Sequence, residues 1–180
     1  EGYPGHHAEA SVKDDLLASA GHEELTLTTT LSPQAVVGEG MAGIGREVVM
    51  SDDELGLELQ RLARSINGRL DIEEELMVQR ARRLLGPALG NAAVALHRDG
   101  EPVDEVRSYL AEVGLVSDER LDETISQLAD PVLRTRPFAD IEGRRLVAEW
   151  LEVHGQTHGF NRLLAEQQTP HALRSELNPA

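Results

Sequence analysis

Ser32-Pro-Gln-Ala-Val-Val-Gly-Glu-Gly-Met-Ala-Gly-Ile-Gly-Arg-Glu-Val-Val49 decides the fold class. Ser32 followed by Pro33 reads as an N-cap and a first-turn proline. The hydroxyl accepts an orphan backbone N–H, and the proline gives up an N–H that has no helical partner at that position. The stretch therefore opens as a helix and runs to about Val49. Gly38, Gly40, Gly43 and Gly45 each weaken a helix, so their presence implies that another element approaches this one closely. Glu39 lies among those small and apolar residues. A carboxylate there is costly unless it is paired or bound to a metal. Arg46 and Arg64 are the candidate cations, and Glu47, two turns on, is the alternative carboxylate.

Outward from this helix, the 3.6-residue period dominates. Residues 6 to 20 read as a helix that stops at Gly21. Leu25, Leu27 and Thr29 alternate with Glu24, Thr26 and Thr28, which predicts one short strand near 24–29. Ser51 and Glu54 have capping-box spacing and open a helix that carries Leu55, Leu59, Leu62 and Ile66 on one face. After an Asn67-Gly68 turn, a helical stretch runs from about Ile72 to Leu96, interrupted at Gly86-Pro87. Further helices run from Pro102 to Val113, from Ser117 to about Leu128, from about Phe138 to His154, and briefly after Thr169-Pro170. The fold class is all-α with at most one short strand, and no linker divides the chain.

The 180 residues carry 17 Lys plus Arg against 32 Asp plus Glu, a formal net charge of -15. That balance argues against nucleic acid as a partner, because phosphate binding needs clustered cations. No apolar run approaches the roughly 18 residues that span a bilayer, so a membrane is not expected as a partner either. The absence of cysteine excludes disulfides, thiolate metal sites and Cys nucleophiles. Lys13 is the only lysine, and arginine supplies the remaining basic charge, a usage typical of GC-rich bacterial coding sequences. Tyr3, Tyr109, Phe138, Trp150 and Phe160 are the only aromatic residues, so the core must be aliphatic, which favours packed helices.

The densest chemistry stands in Glu1-Gly-Tyr-Pro-Gly-His-His-Ala-Glu9. Two adjacent histidines and two carboxylates fall within nine residues, and imidazole and carboxylate are the ligands zinc takes when thiolates are absent. His154 and His158 stand at i and i+4 but lack the intervening glutamate of a metalloprotease helix, and Gly155 and Gly159 argue for a helix end there. No glycine run ends in Gly-Lys-Ser/Thr, and no Gly-x-Ser-x-Gly elbow is present.

The first nine residues resemble the H-E-x-x-P-G-H-H segment of bacterial domain-of-unknown-function family 885, a zincin-like family with a fold similar to the Taq-type metallocarboxypeptidases. Members carry a histidine directly before the glutamate that stands here as Glu1, and a downstream Glu-Gly-x-Ala segment that Glu39-Gly-Met-Ala42 resembles. The similarity extends through Ser117 to Leu128 and Phe138 to Leu151. It departs at Asp140, where members often have a tyrosine; if that tyrosine stabilises an oxyanion, the role would pass to another group such as His154 or His158.

The resemblance implies that residues 1–180 are the C-terminal part of a single helical catalytic domain whose N-terminal part precedes Glu1. It implies zinc as cofactor, His6 or His7 and Glu39 as metal ligands beside the upstream histidine, and Glu1 as the catalytic general base. The Pro4-Gly5 insertion must then bulge the chain to bring His6 to the metal. The expected function is a zinc-dependent hydrolase of the metallopeptidase type that cleaves a small peptide or other amide substrate, with the isolated chain inactive or weakly metal-binding. An esterase or deacylase could use the same residues. The alternative is a non-catalytic helical interaction domain in which the histidines are incidental. The expected location is cytoplasmic, although a secretory signal would lie upstream of Glu1, and the oligomeric state stays open.

Overall fold

The structure, a computed structural model, describes residues 2–27, 29 and 32–178. Among them every regular element is helical, and no helix is long and apolar enough to cross a membrane. The contacts divide into two compact units. One comprises Glu1–Ser51 with Phe138–Ala180, and the other Asp52–Pro137. No linker marks this division in the sequence, because one boundary falls in the short turn between the helix Pro33–Val49 and the helix that opens at Asp52, and the other falls within the first turn of the helix Arg136–His154.

The first unit begins with a π-helix, Gly2–His6, that runs directly into α1, His7–Ala20. Gly21 closes α1 in the left-handed conformation (φ 71°), and its N–H bonds to the Leu17 carbonyl at 3.0 Å. The strand expected near 24–29 is not formed among the described residues. Glu23–Thr26 is instead a 3₁₀ turn, with Leu25 N–H bonding to the His22 carbonyl at 3.2 Å. Among the described residues the alternating pattern has no neighbouring strand to pair with, and an unpaired strand leaves its backbone groups unsatisfied. Leu25 is nonetheless buried.

The helix α2 spans Pro33–Val49, and Ser32 Oγ accepts from Ala35 N–H at 3.2 Å as the cap chemistry requires. In the same unit, α8 (Arg136–His154), α9 (Gln156–Ala165) and α10 (Pro170–Leu177) follow in sequence order after the second unit. Val37, Met41 and Ile44 from α2 meet Leu146, Val147, Trp150 and Leu151 from α8, with Phe160, Leu163 and Leu173 closing the core. The glycines of α2 permit this packing. A Cβ on Gly40 would sit 2.8 Å from Val147 Cγ2 and still closer to the backbone of Gly143, so α2 and α8 cross almost backbone to backbone.

The second unit contains α3 (Asp52–Ser65), α4 (Ile72–Leu84), α5 (Gly86–Val94), α6 (Val103–Glu112) and α7 (Asp118–Ala129). Its core is small: Ala92, Ala93, Val106, Leu110, Leu121 and Leu128. The face predicted for α3 is only partly buried. Gly56 turns towards Ile72 and Leu76 of α4, and Leu55 and Leu59 are half-buried, but Leu62 and Ile66 are 60% and 72% exposed. The stretch from Ile72 breaks at Leu85, where α4 gives way to α5.

Candidate functional site

Two elements of the first unit build the candidate site. Residues Gly2–His6 form a π-helix, whose turn is wider than that of an α-helix by one residue. Gly5 is buried where this turn crosses α2. A Cβ at Gly5 would lie 2.6 Å from Ala42 Cα, and one at Gly45 would lie 3.5 Å from Gly5 Cα. Only glycine lets the π-turn rest on α2 at that depth, and the next residue is His6.

That contact brings His6 to Glu39. His6 Nε2 lies 3.4 Å from Glu39 Oε2, with the two side chains 47% and 29% exposed. The other ring nitrogen, Nδ1, faces Glu9 Oε2 at 3.9 Å across one turn of helix. Glu9 in turn pairs through Oε1 with Lys13, the only lysine of the chain. Its carboxylate lies against Gly38, where a Cβ would stand 3.1 Å from Oε2 and 3.3 Å from Oε1. The result is a line of neighbouring polar side chains, Lys13, Glu9, His6 and Glu39, that runs from α1 through the end of the π-helix to α2.

The arginines considered as partners of Glu39 are engaged elsewhere. Arg46 Nη2 lies 3.8 Å from Glu47 Oε1, and Arg64 Nη2 donates to Gln60 Oε1 at 3.0 Å. Glu47 also accepts from Arg144 Nη2 at 2.8 Å, and Arg144 Nη1 donates to the Gly43 carbonyl. Glu47 is therefore an ion-pair residue joining α2 to α8. His7 is exposed at the first position of α1. Glu1 lies outside the described residues.

The pair His6–Glu39 offers an imidazole nitrogen and a carboxylate oxygen, donor types that zinc accepts. Among the described residues, no group of three or more His, Cys, Asp and Glu is arranged to hold a metal ion.

His154 and His158 do not share a helical face. Gly155 adopts φ 82° and separates α8 from α9. The His154 ring stacks on Trp150, with centroids 4.0 Å apart, and its Nδ1 pairs with the Trp150 carbonyl at 3.0 Å. Its Nε2 lies 3.3 Å from Glu176 Oε2, an oxygen that also accepts from Trp150 Nε1 and Arg162 Nη1. Hydrogen bonding from Arg162 holds the Glu176 carboxyl below its ordinary value, with smaller contributions from Trp150 and His154. Nδ1 of His154 is thus taken up within α8 and Nε2 faces α10, while Arg162 joins α9 to the same Glu176.

Glu9, part of the opening segment, has no role assigned to it by the sequence alone. The i, i+3 step from His6 was the available signal, since residues so spaced are neighbours on a helix surface. Compared with protein-family models, curated proteins and solved structures, the chain matches none.

Proposed function

We propose that this chain carries part of the site of a zinc-dependent hydrolase that cleaves a peptide or other amide bond. The observation that carries the reading is the approach of His6 Nε2 to Glu39 Oε2 at 3.4 Å. It joins two segments that lie 33 positions apart, and these are the segments that resemble the metal-binding motifs of the zincin-like family. The π-turn and its seat on Ala42 supply the mechanical reason why a Pro-Gly insertion is compatible with a ligand at His6.

In this reading His6 offers Nε2 and Glu39 offers Oε2 to the metal, while Glu1 holds the position of the general base. Zinc in such a setting supplies a bound water whose pKa falls to about 7. The chain's own contribution is to hold the two donors in register through the Gly5–Ala42 and Gly40–Gly143 contacts. The half-exposed His6 ring leaves the site open to a substrate.

The test is zinc content by mass spectrometry after zinc loading, in the longer protein that carries the histidine the resemblance places before Glu1, for the wild type and for His6→Ala, His7→Ala and Glu39→Ala. About one zinc per chain, lost in His6→Ala and Glu39→Ala and kept in His7→Ala, is the expected result. A wild type that holds no zinc would overturn the reading and favour a helical interaction domain.

A further inference from the structure

The apolar stripe of α3, formed by Leu55, Leu59 and Leu62 and continued by Ile66 in the turn that follows, is covered along one edge only. Gly56, on one flank of the stripe, is the one buried residue of α3 and packs on Ile72 and Leu76 of α4. Leu55 and Leu59 are half-buried, while Leu62 and Ile66 are exposed. We infer that this stripe is the seam between two copies of the chain, with α3 of one copy running antiparallel to α3 of the other.

The stripe advances in steps of four, three and four residues, a spacing that reads the same in both directions. A second copy related by a two-fold axis therefore sets Leu55 against Ile66 of the other chain and Leu59 against its Leu62. Apolar side chains then meet in every layer over about 16 Å of helix. Charge selects the direction. The first turn of α3 carries Asp52, Asp53 and Glu54, and its second half carries Arg61 and Arg64. A parallel copy would stack acidic turn on acidic turn, whereas an antiparallel one sets the acidic half against the basic half. Glu58 and Arg61 pair within one chain at 2.8 Å on the flank away from Gly56, and across the seam the same two residues face each other again, twice by symmetry. The axis sets like flank against like flank, so both α4 helices fall on one side of the seam. Two α3–α4 hairpins thus complete a four-helix bundle, which takes Leu62 and Ile66 out of water.

The test is the mass of the full chain in solution, by sedimentation equilibrium over a range of micromolar concentrations. A dimer in equilibrium with monomer is expected. Leu62→Glu and Ile66→Glu are each expected to weaken it more than about 10-fold, because each sets a carboxylate against apolar side chains of the second copy. Leu57→Glu, on the opposite and exposed face of α3, is expected to leave it unchanged. Far-UV circular dichroism matching wild type shows that each variant has kept its helices. Mixing reads the direction. Glu58→Arg alone and Arg61→Glu alone each oppose like charges across the seam and are expected to weaken the dimer, whereas an equimolar mixture of the two restores both opposite pairs and is expected to recover it as a heterodimer.

A wild-type chain that stays monomeric throughout overturns the inference. So does a dimer that Leu62→Glu and Ile66→Glu leave intact. A mixture of the two charge variants that associates no more tightly than either alone overturns the antiparallel pairing.

Discussion

The backbone-to-backbone crossing of α2 and α8 predicts opposite effects for two alanine substitutions only three residues apart. Gly40→Ala places a methyl 2.8 Å from Val147 Cγ2 and closer still to the Gly143 backbone. Carbon atoms rest at about 3.5–4.0 Å, so the helices must part by roughly 1 Å. The obstacle is main chain and cannot rotate away, which places the cost near the upper end of the 1–3 kcal/mol range for overpacking, about 3 kcal/mol. Alanine in place of glycine within a helix returns about 1 kcal/mol. The net destabilisation is therefore about 2 kcal/mol. Gly43→Ala gains the same helix propensity, but its methyl meets only Arg144 atoms at 3.6–3.8 Å, ordinary contact distances. It should stabilise by about 0.5–1 kcal/mol.

The assay is urea unfolding followed by Trp150 fluorescence. Trp150 is the only tryptophan, is fully buried and lies in the first unit, so its signal reports that unit alone. With a slope of about 1.5 kcal/mol/M, Gly40→Ala lowers the midpoint by about 1.3 M and Gly43→Ala raises it by about 0.5 M. A midpoint for Gly40→Ala at or above wild type would refute the close crossing. An equal fall in both variants would show that α2 tolerates no side chain for reasons unrelated to α8.

Three further outcomes follow from the same contacts. Removing the Ser32 hydroxyl in Ser32→Ala orphans the Ala35 N–H and should cost about 1 kcal/mol in the same unfolding experiment. Gly155→Ala, forced to hold φ 82°, should cost about 1–2 kcal/mol at the α8–α9 junction, measured as a lower melting temperature. The third concerns Glu176, whose folded carboxyl titrates below its ordinary value of 4.5, chiefly through Arg162. The unfolded chain therefore binds that proton more readily, so the contribution of Glu176 is complete above the ordinary value and is lost as pH falls through the lowered folded one. Trp150-detected stability should decline below about pH 4.5, and the decline should be shallower in Glu176→Gln; identical acid profiles would remove Glu176 from the network.

Where the helices begin and end was legible wherever one residue's chemistry suffices. Ser32-Pro33, Thr169-Pro170 and Gly21 mark boundaries because a hydroxyl cap, a missing N–H or a left-handed glycine acts within one turn of its own position. The segment at 24–29 misled because alternation describes side chains only, whereas a strand needs a second backbone to pair with. The exposure of Leu62 and Ile66 was not legible either. Periodicity shows that a face exists, and only the packing of Gly56 against Ile72 decides which part of it is covered.

The candidate site divides in the same manner. The sequence by itself determined a mainly helical chain, an aliphatic core, and a supply of imidazole and carboxylate in two separate segments. It also required that glycine-rich α2 be approached closely. Only the tertiary structure decided what approaches it: Gly143 against Gly40, the π-turn at Gly5 against Ala42, and Glu9 against Gly38. It likewise decided that Glu39 meets His6 rather than an arginine, and that His154 stacks on Trp150. The physical reason is range. Caps and turns are set by atoms within a few residues of one another. A pair such as His6 and Glu39 meets only because distant backbones pack at a distance that their glycines permit.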